Sequence, residues 1–209
     1  MGQVLELPKR GNRARNNKLR NVPPGRPKND ELRSREYLTP DEMTTIVLHA
    51  GKVGRHRTRD RAIILTMYRH GLRVSELIDM TWDQVDFKQA EMHVNRSKNG
   101  TPSVQPIKGD ELRLLRKLKR EYDSRFLFVS ERGAPLSRSG IAAIVKRAGE
   151  NADIGLAIHP HMLRHACGYY LANKNIDTRT IQAYLGHRSI QHTVRYTELA
   201  PSRFNNLWD

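Results

Sequence analysis

The chain has a single cysteine, few aromatic residues and a shortage of acidic residues. Among its 209 residues, aromatic side chains make up 6%, and 22 Asp and Glu stand against 37 Lys and Arg. With Cys167 alone, an intrachain disulfide is excluded, which is typical of a cytoplasmic protein. No apolar run approaches the ~18 residues of a membrane span, and no signal peptide is visible, so we expect no membrane partner.

The shortage of acidic residues leaves a formal net charge of +15 and a calculated pI near 10.4. The mean hydropathy of −0.70 indicates a strongly hydrated exterior, while 37% hydrophobic residues suffice for a core. Such an excess of positive charge favours a polyanionic partner, above all nucleic acid. The alternative is a surface whose charge serves only solubility. The length fits one ordinary domain with a tail.

Residues 1–36 differ in composition from the rest of the chain. The stretch "PKRGNRARNNKLRNVPPGRPK" is basic, interrupted by Pro and Gly, and without hydrophobic periodicity, so it predicts a disordered arm. The arm is suited to following DNA phosphates or a minor groove. Arg26 and Lys28 lie in "GRPK", which is similar to an AT-hook core, although Pro24 precedes it. The alternative is a disordered tail without a DNA contact.

Residues 37–209 are predicted to form a domain that is mainly α with a small antiparallel β-sheet (α+β). "TPDE" predicts a helix start with Thr39 as N-cap and Glu42 closing a capping box. "AEMHVNR" and "TPSVQPI" alternate as strands do, and Asn99-Gly100 between them predicts a tight hairpin turn. "FLFVS" predicts a short strand or a buried segment. Further helices are predicted at "LRVSELIDM" and "DELRLLRKLKREY" and at about 59–70, 138–150, 160–174, 177–185, 189–198 and 202–208.

A narrow polar strip marks the helix predicted from residue 160. At about 100° per residue, His161, Arg164, His165 and Gly168 fall on one arc, and apolar residues occupy the remainder. Because Gly168 lacks a side chain, the backbone of a ligand such as DNA is able to approach there. A solvated basic edge is the alternative. A zinc site at the two histidines is rejected, because Arg164 would bring a permanent cation beside the metal.

Tyr196 is a candidate nucleophile. Gly186 ends the preceding helix, which leaves His187 just beyond a helix C-terminus, and Arg188 follows as a candidate DNA contact. A phenol has an ordinary pKa near 10, so attack near neutral pH requires neighbouring cations or a proton acceptor. A purely structural tyrosine is the alternative for Tyr196 taken alone.

Two candidate residues lie upstream. Arg73 follows the helix stop at Gly71, and Glu76 is spaced to orient its guanidinium, a planar fork that suits two phosphate oxygens. Lys98 lies at the tip of the predicted hairpin, from which an ammonium group is able to protonate a leaving oxygen. A surface Arg–Glu pair and a solvated turn lysine are the respective alternatives.

The order of these residues resembles the active-site pattern of the tyrosine recombinases, the phage integrase family. That pattern is an Arg, a Lys in a β-hairpin, His-x-x-Arg, Leu-Gly-His and a Tyr. The spacings here are 25 from Arg73 to Lys98, three from His161 to Arg164, 23 from Arg164 to His187 and nine from His187 to Tyr196. "YRHGLRVSEL" and "HPHMLRHACGYYLANKNIDTRTIQAYLGHRSIQHTVRYT" resemble in particular the small fimbrial phase-variation recombinases.

The resemblance implies a site-specific recombinase. Tyr196 would attack a DNA phosphodiester to leave a 3′-phosphotyrosyl link and a free 5′-hydroxyl. Arg73 and Arg164 would hold the non-bridging oxygens with a hydrogen bond from His187, while Lys98 would protonate the leaving oxygen and His161 would assist proton movement at Tyr196. No metal, ATP or other cofactor is required, because arginines stabilise the charge and one ester replaces another.

The resemblance also implies partners and leaves alternatives. Because two duplex sites need four cuts, we expect a homotetramer on double-stranded DNA, with accessory DNA-bending proteins, at the bacterial nucleoid in the cytoplasm. Many relatives carry an N-terminal core-binding domain, where this chain has its basic arm. The apolar segment "PSRFNNLWD" docks either on a neighbouring protomer or on its own core. A type IB topoisomerase and a non-catalytic DNA-binding regulator are the alternative functions.

Overall fold

A computed structural model describes residues 35–97 and 100–198. The predicted basic arm, except for its last two residues, and the predicted helix at 202–208 lie outside these ranges. In chain order the α-helices are α1 (Pro40–Ala50), α2 (Arg57–Arg69), α3 (Val74–Ile78), α4 (Gly109–Glu121), α5 (Arg138–Asn151), α6 (Pro160–Asn173), α7 (Thr178–Leu185) and α8 (Gln191–Glu198). The strands are β1 (Val85–Asp86), β2 (Glu91–Val94) and β3 (Ser103–Pro106).

Local capping chemistry fixes several helix starts. The predicted capping box before α1 is confirmed, since the Glu42 amide donates to Thr39 Oγ1 at 3.3 Å and the Thr39 amide donates to Glu42 Oε2 at 2.8 Å. Ser137 caps α5 through the Gly140 amide, and Asp177 caps α7 through the Thr180 amide, both at 3.0 Å. These side chains satisfy amides that have no partner inside the helix.

The strands form one antiparallel sheet in the order β1-β2-β3, so the predicted fold class is confirmed. The two residues of β1 extend the predicted hairpin by a strand that was not expected. "FLFVS" is the buried segment of the two alternatives. Phe126 and Val129 make only isolated bridges, and Leu127, Phe128 and Val129 are buried.

The predicted Asn99-Gly100 turn lies partly outside the described residues, because Asn99 is not among them. The connection between the strands is short, since Val94 pairs with Ser103 and the Gly100 amide donates to the Ser97 carbonyl at 3.4 Å. Gly100 also packs on a distant segment, because a Cβ on it would lie 2.9 Å from the Gly186 carbonyl oxygen. The connection is therefore held against the end of α7.

Two apolar clusters meet along α6. The larger is built from α1, α2, α4, α5 and the sheet, and Met162, Leu163 and Ala166 join it from α6. The smaller cluster lies between α6, α7 and α8 and contains Cys167 and Tyr196. Arg164 therefore emerges from α6 at the junction of two packed regions. Within residues 35–97 and 100–198, no helix is both long and apolar enough to cross a membrane.

Candidate active site

Arg73 and Glu76 form the first part of the site, at the start of α3. Gly71 has a φ of 55°, which turns the chain sharply after α2 and leaves Arg73 as the N-cap of α3. Arg73 donates from its backbone amide to Glu76 Oε2 at 2.9 Å and from its guanidinium to Oε1 at 2.7 Å. The side chain of Arg73 is 27% exposed and that of Glu76 only 1%, so a buried carboxylate holds a partly open guanidinium.

Glu76 remains ionised in this buried position. Burial alone would raise the pKa of its carboxyl, but the Arg73 amide and the nearby charge of Arg96 lower that pKa below its usual value. Hydrogen bonds from Ser97, through its amide at 3.1 Å and its hydroxyl at 3.3 Å, also reach Oε1. Glu76 is thus an anion shared by several donors.

Arg164 is buried, with 1% exposure, so a solvated basic edge on α6 is contradicted. Its guanidinium donates to the Gly71 carbonyl and, at 2.8 Å, to the Leu185 carbonyl, and it lies 4.0 Å from Glu76. Burial, reinforced by the charges of Arg73 and Arg96, lowers the Arg164 pKa to about 10, so the group stays protonated near neutral pH.

Arg96 is a third arginine in this region, and the sequence analysis missed it. Its guanidinium donates to Glu76 Oε2 at 3.0 Å, the Gly71 carbonyl at 3.4 Å and the His70 carbonyl at 2.9 Å, and also to the Tyr184 carbonyl. A usable signal was present, since Arg96 continues the alternation of the inward-facing Met92 and Val94.

His187 lies directly beyond α7, as predicted. Gly186 ends the helix with a φ of 64°, and the His187 amide then bonds the Gln182 carbonyl at 3.0 Å. The His187 Nδ1 is 2.9 Å from the hydroxyl of Thr193 on α8. Burial, with the nearby charges of Arg164 and Arg73, lowers the pKa of His187 to about 3, so its imidazole is neutral.

Tyr196 lies among three rings and is only 2% exposed. Its ring centroid is 5.0 Å from that of Tyr169, 5.8 Å from that of His165 and 6.1 Å from that of His187. The Tyr196 hydroxyl is 2.9 Å from His165 Nδ1. Burial raises the Tyr196 pKa to about 12, although the charge of Arg164 opposes the shift. The phenol is therefore neutral and sequestered.

Gly168 has a different neighbour from the one predicted. A Cβ built on Gly168 would lie 2.7 to 2.8 Å from three ring atoms of Tyr196, so the space is filled by this chain's own phenol. Gly168 is buried beneath Tyr196 rather than open to a ligand, so a DNA contact at this residue requires the Tyr196 ring to move away.

The two histidines of α6 are neutral neighbours. The ring centroids of His161 and His165 are 4.4 Å apart. Burial lowers the pKa of both, with Arg164 contributing at His161 and His161 contributing at His165, which reaches about 3. Within the part of the chain that the structure describes, no group of three or more His, Cys, Asp or Glu is arranged to hold a metal ion.

An open cleft of about 540 Å³ adjoins the arginines. The starts of α3, α5 and α6 line it, with the polar side chains Arg73, Ser75, Arg138, His159 and His161. Arg73 and His161 thus face solvent space, whereas Tyr196 does not line this cleft. Arg138 and His159 were missed by the sequence analysis, because no motif assigned a role to either residue.

Some predicted site residues cannot be compared with the structure. Lys98, Arg26 and Lys28 lie outside the described residues. Arg188 is exposed in the turn between α7 and α8, where it stays a predicted DNA contact. The structure therefore brings together Arg73, Glu76, Arg164, His187, His165 and Tyr196, with His161 at the border of the cleft.

Comparison with known proteins identifies relatives of the whole described region. Residues 36–203 match the family model described as "Phage integrase family". The type 1 fimbriae regulatory protein FimE of Escherichia coli K12 is 40% identical over 185 residues, covering 85% of this chain and 93% of FimE. This match is consistent with the resemblance to small fimbrial recombinases.

Solved structures agree with this relationship. The XerA recombinase superimposes with a TM-score of 0.71 at 28% identity, covering 81% of this chain and 62% of XerA. The XerH site-specific recombinase, in a pre-cleavage complex with its difH substrate, has the same TM-score at 20% identity and supports the fold alone. This chain spans 55% of XerH. The chain belongs to the phage integrase family and is a site-specific tyrosine recombinase, a DNA cleaving and rejoining enzyme.

Proposed function

We propose that Tyr196 is the nucleophile that cuts the DNA strand. Its hydroxyl oxygen forms a bond to the scissile phosphorus while the bond from phosphorus to the 5′ oxygen breaks. The phenol loses its proton, and the departing 5′ oxygen gains one. The product is a 3′-phosphotyrosyl link and a free 5′-hydroxyl. In the reverse reaction, the 5′-hydroxyl of a second strand attacks the phosphotyrosyl phosphorus, releases Tyr196 and rejoins the DNA. One ester replaces another at each step, so ATP is not required.

The observation that carries the proposal is the meeting of fixed cations with one phenol. Tyr196 stacks on His187 with an interplanar angle of 20°, and Arg164 bonds the Leu185 carbonyl two residues before His187, at the end of the same helix. A purely structural tyrosine does not require this arrangement. The phosphate in the transition state carries increasing negative charge, which preorganised donors stabilise by a few kcal/mol each.

We assign the phosphate contacts to Arg73, Arg164 and His187. The Arg73 side chain is partly exposed and bonds Glu76 through one guanidinium nitrogen, so its other guanidinium donors are available for a phosphate oxygen. Arg164 is anchored by two carbonyls, which fixes its position before DNA arrives. Because Thr193 holds Nδ1 of His187, a neutral imidazole with its proton on Nε2 has that donor available.

Proton movement is assigned to histidine and lysine. His165 is neutral, and its Nδ1 lies 2.9 Å from the phenol hydroxyl, so it is a supporting residue that holds Tyr196 before DNA binds. His161 borders the open cleft, which supports it as the group that assists removal of the phenol proton during the cut. Lys98 is the proposed donor to the 5′ oxygen on the strength of the family resemblance and its position between β2 and β3.

The buried phenol implies that DNA binding is coupled to movement of α8. Tyr196 is 2% exposed and does not line the open cleft, so its hydroxyl must leave His165 to reach a phosphorus atom. α8 packs on α6 and α7 through Thr193 and Tyr196, which makes it a short element able to shift as a unit. We propose that the cut follows this shift.

We propose double-stranded DNA as the substrate and a homotetramer as the working assembly. XerH was crystallised with its difH substrate, and exchange between two duplex sites requires four cuts. The proposed setting is the bacterial nucleoid, with accessory DNA-bending proteins, and the similarity to FimE supports control of fimbrial phase variation. The basic arm of residues 1–36 is proposed to follow DNA phosphates.

The test is covalent trapping on nicked DNA. Wild-type protein and Tyr196→Phe are each mixed with a pool of randomised duplexes, nicked so that the short fragment carrying the new 5′-hydroxyl diffuses away after cleavage. We expect a protein–DNA adduct with wild type only, and sequencing the trapped DNA identifies the preferred site. An adduct with the Phe variant would remove Tyr196 as nucleophile. Two copies of the selected site on one plasmid then separate strand exchange from the relaxation expected of a topoisomerase.

A further inference from the structure

We propose that Arg96 is a positioning residue for strand cleavage, which sets the placement of both phosphate-binding arginines without contacting DNA itself. The inference rests on the proposed roles of Arg73 and Arg164. Arg96 lies two residues beyond the end of β2, and its side chain is fully buried. Its terminal nitrogens are occupied by four acceptors from the protein.

Shared acceptors connect Arg96 to both proposed phosphate ligands. Glu76 accepts from Arg73 and from Arg96, at 2.7 and 3.0 Å. The carbonyl of Gly71 accepts from Arg96 and from Arg164. One carboxylate and one carbonyl thus join three guanidiniums, so the direction in which Arg73 and Arg164 donate depends on where Arg96 holds these two acceptors.

Arg96 also joins the loop before Lys98 to the turn that presents His187. Its guanidinium reaches the Tyr184 carbonyl in α7, and its stem passes over Gly186. A Cβ on Gly186 would lie 2.5 Å from Arg96 Cγ, and a Cβ on Gly100 would lie 2.7 Å from Arg96 Cβ. Two glycines therefore make room for this one side chain.

The charge balance argues against a role in stability alone. Glu76 is one carboxylate facing Arg73, Arg96 and Arg164, and burial lowers the pKa of Arg96 because desolvation disfavours its charge. A buried cation beside two others is costly, and an apolar side chain of similar length avoids that cost. The charge of Arg96 is therefore explained by its role in fixing the geometry of Arg73 and Arg164.

The test compares cleavage of two substrates by Arg96→Met. One is the selected nicked duplex, and the other carries a methylphosphonate at the scissile position, which removes the negative charge that Arg73 and Arg164 meet. Displacement of Arg73 and Arg164 should slow cleavage of the neutral methylphosphonate less than cleavage of the charged phosphodiester. We expect the single-turnover rate constant to fall on the order of 10²-fold on the phosphodiester, as for an ångström-scale misplacement, and clearly less on the methylphosphonate.

Arg59→Met is the matched control. Arg59 is also buried and donates to Asp60 Oδ1 at 2.9 and 3.0 Å and to the Val129 carbonyl at 3.0 Å, in contacts that include no proposed catalytic residue. The Arg59→Met substitution should lower the melting temperature but leave the cleavage rate constant per active molecule unchanged on both substrates.

Arg96→Lys retains the charge without the planar fork. Its cleavage rate constant on the phosphodiester should lie between those of wild type and Arg96→Met, and it replaces Arg96→Met in the comparison if the Met variant does not fold.

The outcomes separate this inference from the proposed function. An equal loss on both substrates by the Arg96 variants, or no loss at all, overturns the positioning role while wild type still forms its Tyr196 adduct. Absence of any Tyr196-dependent adduct in wild type instead overturns the proposed function. A rate loss in Arg59→Met equal to that in Arg96→Met would assign both arginines to stability.

Discussion

The ring of Tyr196 packs on the bare Cα of Gly168, one turn beyond Arg164 on α6. Three ring atoms of Tyr196 occupy the place where a side chain at residue 168 would begin. The same tyrosine is bonded through its hydroxyl to His165, one turn earlier on α6. A glycine and a histidine on one helix therefore hold the proposed nucleophile away from the cleft in the DNA-free protein.

Gly168→Ala tests this packing. The added methyl group would displace the Tyr196 ring, so we expect the free energy of unfolding to fall by about 1–3 kcal/mol, as for overpacking of a core. Urea denaturation measures it. Gly109→Ala is the control, because its Cβ would meet only the flexible end of Arg113 at 3.6 Å. Equal stability of Gly168→Ala and wild type would contradict the packing described for Tyr196.

The raised pKa of Tyr196 is open to spectrophotometric titration. Because burial raises this pKa to about 12, wild type and Tyr196→Phe should release the same number of phenol protons up to about pH 10.5. The readout is tyrosinate absorbance in the absence of DNA. One additional proton released by wild type near the ordinary phenol pKa of about 10 would show that the hydroxyl is exposed.

The leaving-group role of Lys98 is tested by altering the leaving atom. Lys98→Ala should cleave an ordinary phosphodiester much more slowly, on the order of 10²-fold or more for a lost general acid. A 5′-bridging phosphorothioate leaves without protonation, so the variant should cleave it at nearly the wild-type rate. Lys108→Ala, on the loop beyond β3, is the control. Equal impairment of Lys98→Ala on both substrates would remove Lys98 as the acid.

Stability should fall as the pH decreases below about 6.5. His165 and His187 have folded-state pKa values of about 3, against about 6.5 in an unfolded chain. Between these values the unfolded chain binds more protons, so acid favours unfolding and stability rises with pH across the window. Thermal melts from pH 4 to 8 measure the slope. His165→Gln with His187→Gln should flatten it, and an unchanged slope would mean that both imidazoles are exposed.

Local patterns in the sequence predict much of the fold. α2, α6 and α7 lie within two residues of their expected ends, because amphipathic periodicity is a property of the segment itself, as are the glycines that follow α2 and α7. The capping box at Thr39 is local in the same way. Spacing alone also placed His187 just beyond α7, since Gly186 adopts the left-handed conformation that ends a helix.

Contacts between distant segments explain what the sequence analysis missed. The packing of Gly100 on the end of α7 is one example, because no local preference in the sequence reveals it. Gly168 was interpreted as a place for DNA, because the position of Tyr196 against it depends on how α8 folds back on α6. Arg96 was overlooked because its acceptors come from three separate segments.

The ratio of arginines to carboxylates at Glu76 has a practical consequence for handling the protein. Three guanidiniums contact or approach this single carboxylate within the described residues, so this region attracts small multivalent anions as well as a DNA backbone. Sulfate and inorganic phosphate in a buffer will then act as competitors. They will raise the melting temperature and weaken the measured DNA affinity together, by mass action at the same charges.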